Sequence, residues 1–202
     1  PKSKGIQALF DVYINSLNSK NKILLNQKIR SIKKKNNKFI ISSNNKNIKS
    51  DILLSTIPLN EFCEIYSAIP NDILNVSKKL KFNSIIICLI NIKGEFGGNN
   101  FAFMVPNKDI IFHRISKLDF LGKNYSRPKT TTFLVEITFR KGDYISRLKN
   151  KDIINKIHQG LVKLKFSKNK NNINFYQIKK FKYAYVIYDL MHRYNVDKIL
   201  NF

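Results

Sequence analysis

The 202-residue chain has no tryptophan, two cysteines, and only 13 acidic residues against 37 lysines and arginines. Cys63 and Cys88 both fall in apolar segments, and two cysteines staple little, so a disulfide scaffold is excluded. Glycine is sparse, at seven residues, and no Gly-x-Gly-x-x-Gly occurs. The single glycine cluster, Gly94-Glu95-Phe96-Gly97-Gly98, is flanked by strand patterns on both sides. It reads as a hairpin loop, because a phosphate cradle needs its glycines between a strand and a helix. The longest apolar run, residues 85–90, is far short of the ~20 residues that cross a bilayer. His113, His158 and His192 lie far apart and the cysteines have no paired spacing, so no metal motif is present. No Gly-x-Ser-x-Gly elbow occurs, and Cys88, set among isoleucines, reads as a small hydrophobe. The chain opens at Pro1 without an initiator methionine or a charged-then-apolar leader. It reads as a cytoplasmic segment of a longer protein.

A hydrophobic content of 43% rules out disorder, and this length can bury about 70% of its unfolded surface. The formal charge of +24 raises the question of nucleic acid. Only six of the basic residues are arginine, however, and asparagine and isoleucine are inflated alongside lysine. A phosphate-reading surface favours arginine's planar fork and gains nothing from isoleucine. The excess therefore reads as compositional drift, giving a background field screened beyond ~8 Å and no specific nucleic-acid partner.

Apolar periodicity places a helix over residues 5–17 and short strands over 22–25, 28–34 and 38–42. A further strand over 48–56 ends in Ile52-Leu53-Leu54, as expected of a strand covered on both faces. Pro58 fits the first position of a helix over 58–66, and a second helix follows over 72–80. Residues 82–92 and 130–140 read as long strands, and 101–105 with 109–114 as a hairpin turning at Pro106. A helix over 151–166 precedes a strand over 174–185, and Asn195 is placed as the N-cap of a final helix. The order is α+β, not the strict alternation of a doubly wound domain.

The stretch most suggestive of a site is Tyr183-Ala184-Tyr185-Val186-Ile187-Tyr188-Asp189. Tyr183 and Tyr185 are two apart on a strand and share one face. Tyr183, Tyr185 and Tyr188 could offer hydroxyls to an anionic or sugar-like ligand, or could equally be half-buried core tyrosines. The same stretch resembles the "Tyr-Ala-Tyr-Pro-Val-Tyr-Asp" signature of the flavin amine oxidase superfamily, in its protoporphyrinogen-oxidase-like and UDP-galactopyranose-mutase-like branches. Asp51 to Leu59 resembles the superfamily's acidic, apolar, Ile-Pro-Leu junction. Pro70-Asn71-Asp72-Ile73, Leu80-Lys81-Phe82, His113-Arg114-Ile115 and Leu134-Val135-Glu136 fall in the family's order. The opening through Leu9 is similar to its "Tyr-Pro-x-Gly-Gly-Ile" segment. Val186 stands where the family has proline, and Lys4 where it has glycine.

The resemblance implies an internal fragment of an FAD-dependent oxidoreductase: a mixed, largely antiparallel sheet with flanking helices, plus a small β-meander. It implies that residues 1–57 adjoin the FAD domain, 58–190 bind substrate, and 191–202 return toward the FAD domain. The other FAD-binding segments would come from the same longer chain. Ile29 would meet FAD through its backbone, and Arg114, Tyr183, Tyr185 and Tyr188 would bind a small-molecule substrate. The tyrosine signature points to a sugar nucleotide or polysaccharide precursor. The rival readings are a flavin-dependent mutase of the same superfamily and a non-enzymatic basic module for nucleic acid.

Overall fold

The computed structural model describes residues 5–122, 125, 127–169 and 172–202; the opening motif's first four residues lie outside this range. Two compact units emerge: the segment through Phe10 with Phe82–Tyr185, and Asp11–Lys81 with Val186–Phe202. Helix α1 (Gln7–Ser16) forms where the stripe predicts, but it buries none of its residues. No helix among the described residues is long and apolar enough to cross a membrane.

In the unit built on Asp11–Lys81, strands β1 (Ile29–Lys35), β2 (Lys38–Ser43) and β3 (Asn47–Ser50) form an antiparallel meander in chain order. Asn36 and Asn37, both at positive φ, make the β1–β2 turn, the backbone that two-residue hairpins demand. Helices α2 (Leu59–Ile65) and α3 (Asn71–Ser77) follow, each preceded by a proline one residue outside the helix. Cys63, Ile73, Val76 and Ile199 make a small core with Leu59, Ile69, Leu74 and Leu80 packed against it.

Two expectations fail here. Residues 22–25 form no strand, and residues 51–57 form none either, Ile52 and Leu54 being 83% and 88% exposed. An apolar run becomes a buried strand only beside a ladder partner, and no described strand pairs with this one. The final helix α5 (His192–Leu200) also begins earlier than Asn195, which lies buried inside it. Asp189 starts the turn instead: its carboxylate accepts the Met191 N–H at 3.2 Å and its carbonyl accepts the His192 N–H at 3.0 Å.

The other unit is a five-stranded sheet in the order β5 (Ala102–Met104), β6 (Arg114–Lys117), β7 (Thr130–Phe139), β4 (Phe82–Lys93), β8 (Ile173–Val186). Its long central pair, β4 with β7, runs antiparallel from Ser84 opposite Phe139 to Lys93 opposite Thr130. Strand alternation sends Ile86, Cys88, Ile90, Ile92, Phe133, Val135 and Ile137 to one face, where all are fully buried. Helix α4 (Asn150–Lys163) covers that face with Ile153, Ile154, Ile157 and Leu161. Each such side chain contributes about 1.5–3 kcal/mol relative to exposure.

The architecture is α+β as expected, with two local corrections. The hairpin partner of β5 is residues 114–117 rather than 109–114, since residues 105–113 dip into the core through Val105, Ile110 and Phe112. The glycine cluster joins β4 to β5, which are not neighbours. It is a crossover with Gly94, Gly97 and Gly98 at positive φ, not a hairpin loop.

Candidate functional site

Between Val135 and Ile137, which point into the core, strand alternation forces Glu136 to the opposite face of β7. There it is only 3% exposed, so its charge must be matched locally. The match comes from both sides. Arg114, directly opposite on β6, donates from Nε to Glu136 Oε1 at 2.8 Å, and its Nη2 also meets that oxygen. Tyr185, on β8 beyond β4, donates its Oη to Glu136 Oε2 at 3.1 Å. Ile87 of β4 lies opposite Glu136 between them. Arg114 keeps 42% of its side chain exposed and Tyr185 is 44% exposed, so both reach solvent from a buried anchor.

Burial pushes the Tyr185 phenol above its ordinary pKa, and the charge and hydrogen bond of Glu136 push the same way. Arg114 opposes them. Farther along β4 and β7, Asn91 donates from Nδ2 to Thr132 Oγ1 at 2.8 Å and to Thr130 Oγ1 at 3.1 Å. Asn174 of β8 donates to Asn91 Oδ1 at 2.7 Å. Thr132 shares the Glu136 face and borders a cavity of about 160 Å³ with Leu89, Leu118, Tyr125, Arg127 and Phe175.

Of the residues singled out in the sequence, Arg114 and Tyr185 are thus brought together, through a residue that had been given no role. Glu136 carried only a faint signal in the sequence: it falls in a largely apolar strand with Leu134 on its own face, whereas V-E-I alternation alone fits an ordinary solvent-facing acid. Tyr183 lies two residues before Tyr185 on β8. Its ring packs on Phe82 at 4.3 Å between centroids, with Lys182 Nζ 4.6 Å from its own centroid.

Tyr188 and Ile29 belong to the other unit. Tyr188 is 80% exposed with its ring edge-on to His192 at 4.8 Å. Ile29 opens β1 opposite Ser43, at the outer edge of the meander. The Ser67 N–H engages that edge only at the Ile32 carbonyl. The Asp189 carboxyl is held below the ordinary carboxylate range by its hydrogen bond and ion pair with Lys81, at 2.8 Å.

Both cysteines are free and buried. Burial pushes the Cys88 thiol up to about 12 and raises that of Cys63. Cys63 is 2% exposed. His158 is a buried histidine, its Nε2 3.2 Å from Ser167 Oγ and 2.9 Å from the Asn169 carbonyl. Among the described residues no cluster of His, Cys, Asp or Glu could hold a metal.

No protein-family model matches the chain, and no curated protein matches it in sequence. Its structure is similar to several solved ones. A reduced UDP-galactopyranose mutase matches with a TM-score of 0.81 at 12% identity, over 98% of this chain and 43% of that one. A candidate protoporphyrinogen oxidase from Exiguobacterium sp. 255-15 matches at 0.77 and 14% identity, over 96% and 42%. Putrescine oxidase bound to putrescine matches at 0.70 and 14% identity, over 96% and 44%. The chain therefore spans less than half the length of these structures.

Proposed function

We propose, from the flavin amine-oxidase-superfamily fold that this chain has, that it forms the substrate-binding region of an FAD-dependent oxidoreductase and an adjoining part of its FAD domain. The observation that carries this reading is the Arg114–Glu136–Tyr185 cluster on the sheet face opposite α4, within a fold matched over 96% or more of its length in these three structures. Such a face offers fixed polar groups on rigid strands, where a substrate can be oriented and water displaced. FAD, when bound, supplies the redox step. Nothing in this chain then needs to act as nucleophile or metal centre, in keeping with the two buried thiols.

The residues fit that cofactor in the manner open to them. Ile29 sits on the outer strand of the meander, whose backbone edge is engaged at Ile32; it would hold the adenine through main-chain atoms. The exposed apolar run at Ile52 and Leu54 suits a strand completed by the FAD domain of the longer protein. Residues 58–190 remain our substrate-domain assignment, with 191–202 leading back toward the flavin. Tyr183 and Tyr188 would flank the substrate, and a sugar nucleotide or polysaccharide precursor is its proposed class. The cytoplasm is the proposed compartment.

The mutase has the highest TM-score of the three, which favours a second reading: an isomerase acting on a sugar nucleotide through reduced flavin. One preparation tests the shared premise. The purified full-length protein should be yellow and should release FAD on heat denaturation. A colourless protein that takes up no FAD on reconstitution overturns both readings. Turnover without net electron transfer to an acceptor separates the mutase from the oxidoreductase.

A further inference from the structure

Resting on the substrate-site reading above, we infer that Glu136 is the specificity-determining residue of that site: it clamps Arg114 and Tyr185 together and tunes them for a neutral hydroxyl group, against phosphate. Both Glu136 oxygens are used, Oε1 by Arg114 and Oε2 by Tyr185. The guanidinium charge is thereby balanced by a carboxylate that is itself almost fully buried. The carboxylate end of this pair is out of water and is screened less than a surface charge, while the guanidinium keeps a solvent-facing side.

Tyr185 has one proton, and it is committed to Glu136. Toward a ligand its oxygen can therefore only accept. Arg114 can only donate, through the guanidinium N–H groups that Glu136 does not take. One donor beside one acceptor is the complement of a hydroxyl, which accepts from the first and donates to the second. A phosphate oxygen would satisfy Arg114 but set its charge against the phenol lone pairs and the Glu136 carboxylate. The cluster therefore receives the sugar-like end of a substrate, and a diphosphate, if the substrate has one, must be held elsewhere.

The test uses the full-length protein with tyrosine labelled at Cζ for NMR, the Tyr185 signal being assigned by its loss in Tyr185→Phe. The probes are methyl glucoside and inorganic phosphate at equal ionic strength. The wild-type Tyr185 signal should shift saturably with the glucoside and not with phosphate. Glu136→Gln frees the Arg114 charge, so phosphate affinity should rise about tenfold or more, and the phenol should titrate at lower pH than in the wild type.

A wild-type response to phosphate as strong as that to the glucoside overturns the inference, as does no response to the glucoside. An unchanged phenol titration in Glu136→Gln overturns the clamp. Should that variant not fold, Arg114→Met serves: the unbalanced carboxylate must then push the Tyr185 titration higher still, and an unmoved titration refutes the clamp. Failure of the flavin reading is separable, because a colourless protein with these NMR responses keeps the clamp and loses only the enzyme class.

Discussion

Gly160 lies inside α4, where glycine ordinarily weakens a helix, so replacing it with alanine should add about 0.8–1.0 kcal/mol of helix propensity. The packing around it argues for the opposite result. A Cβ at Gly160 would stand 2.7 Å from Phe112 Cε1, 2.9 Å from Phe112 Cζ and 2.9 Å from Ile110 Cγ2, against an ordinary carbon contact of about 3.5–4.0 Å. Phe112 is 1% exposed and embedded in the sheet–helix core, so its ring has nowhere to swing. Overpacking of this kind costs about 1–3 kcal/mol. The clash offsets the propensity gain or exceeds it, so Gly160→Ala should lose up to about 2 kcal/mol net, lowering Tm by up to about 8 °C for a chain of this size. Thermal melts followed by circular dichroism measure it. Phe112→Leu should relieve the clash, so alanine at 160 should be neutral or stabilising in that background, a coupling read by a double-mutant cycle. A Gly160→Ala protein more stable than wild type would refute the packing argument.

Three further outcomes follow from the same coordinates. Ile86→Ala removes a fully buried side chain from the centre of β4, so it should cost about 2–5 kcal/mol in urea unfolding; a loss under 1 kcal/mol contradicts the core assignment. Cys88, with its thiol pushed up to about 12, and Cys63, raised by burial, should not react with a disulfide reagent at pH 8 in the native protein. Both should react once it is denatured, and rapid native labelling counts against their burial. The Asp189 carboxyl is depressed by Lys81, so its contribution is present above its unfolded pKa of about 3.9 and fades as pH falls through the lower folded value. Asp189→Asn should be less stable than wild type at pH 6 and converge with it near pH 2, and a gap that persists in acid contradicts the ion pair.

Periodicity located the long elements that bury a regular face in the core. β4, β7, α4 and β8 all fall within two or three residues of where apolar spacing puts them. The pattern failed where an element depends on a neighbour. The run at Ile52 and Leu54 has the composition of a two-sided strand, yet a strand exists only beside another, and no described strand pairs with it. The hairpin slipped because residues 105–113 bury Val105, Ile110 and Phe112 without pairing, and apolar content alone does not distinguish these two fates. The final helix was misplaced because Asn195 and Asp189 are both good turn residues, and only the Met191 N–H shows which one acts.

The site was half legible for a similar reason. Arg114 and Tyr185 drew attention by residue type, but they lie 71 positions apart. What unites them is sheet order, with β8 beside β4 and β4 beside β7. The alternation of β7 places Glu136 opposite the core, but neither its burial nor its two partners could be read from it. Tyr183 and Tyr188 show the converse. Spacing grouped them with Tyr185, whereas the structure gives one a ring partner in Phe82 and the other a ring partner in His192.

If the Glu136 face orients a substrate for a flavin, as we propose, that face of the sheet must be turned toward the bound cofactor. A crystal structure of the full-length protein with its native cofactor tests this most directly. It should show the isoalloxazine ring facing Arg114 and Tyr185, with the α4 side of the sheet turned away. A flavin bound on the α4 side, or an FAD-soaked crystal with none, would contradict it.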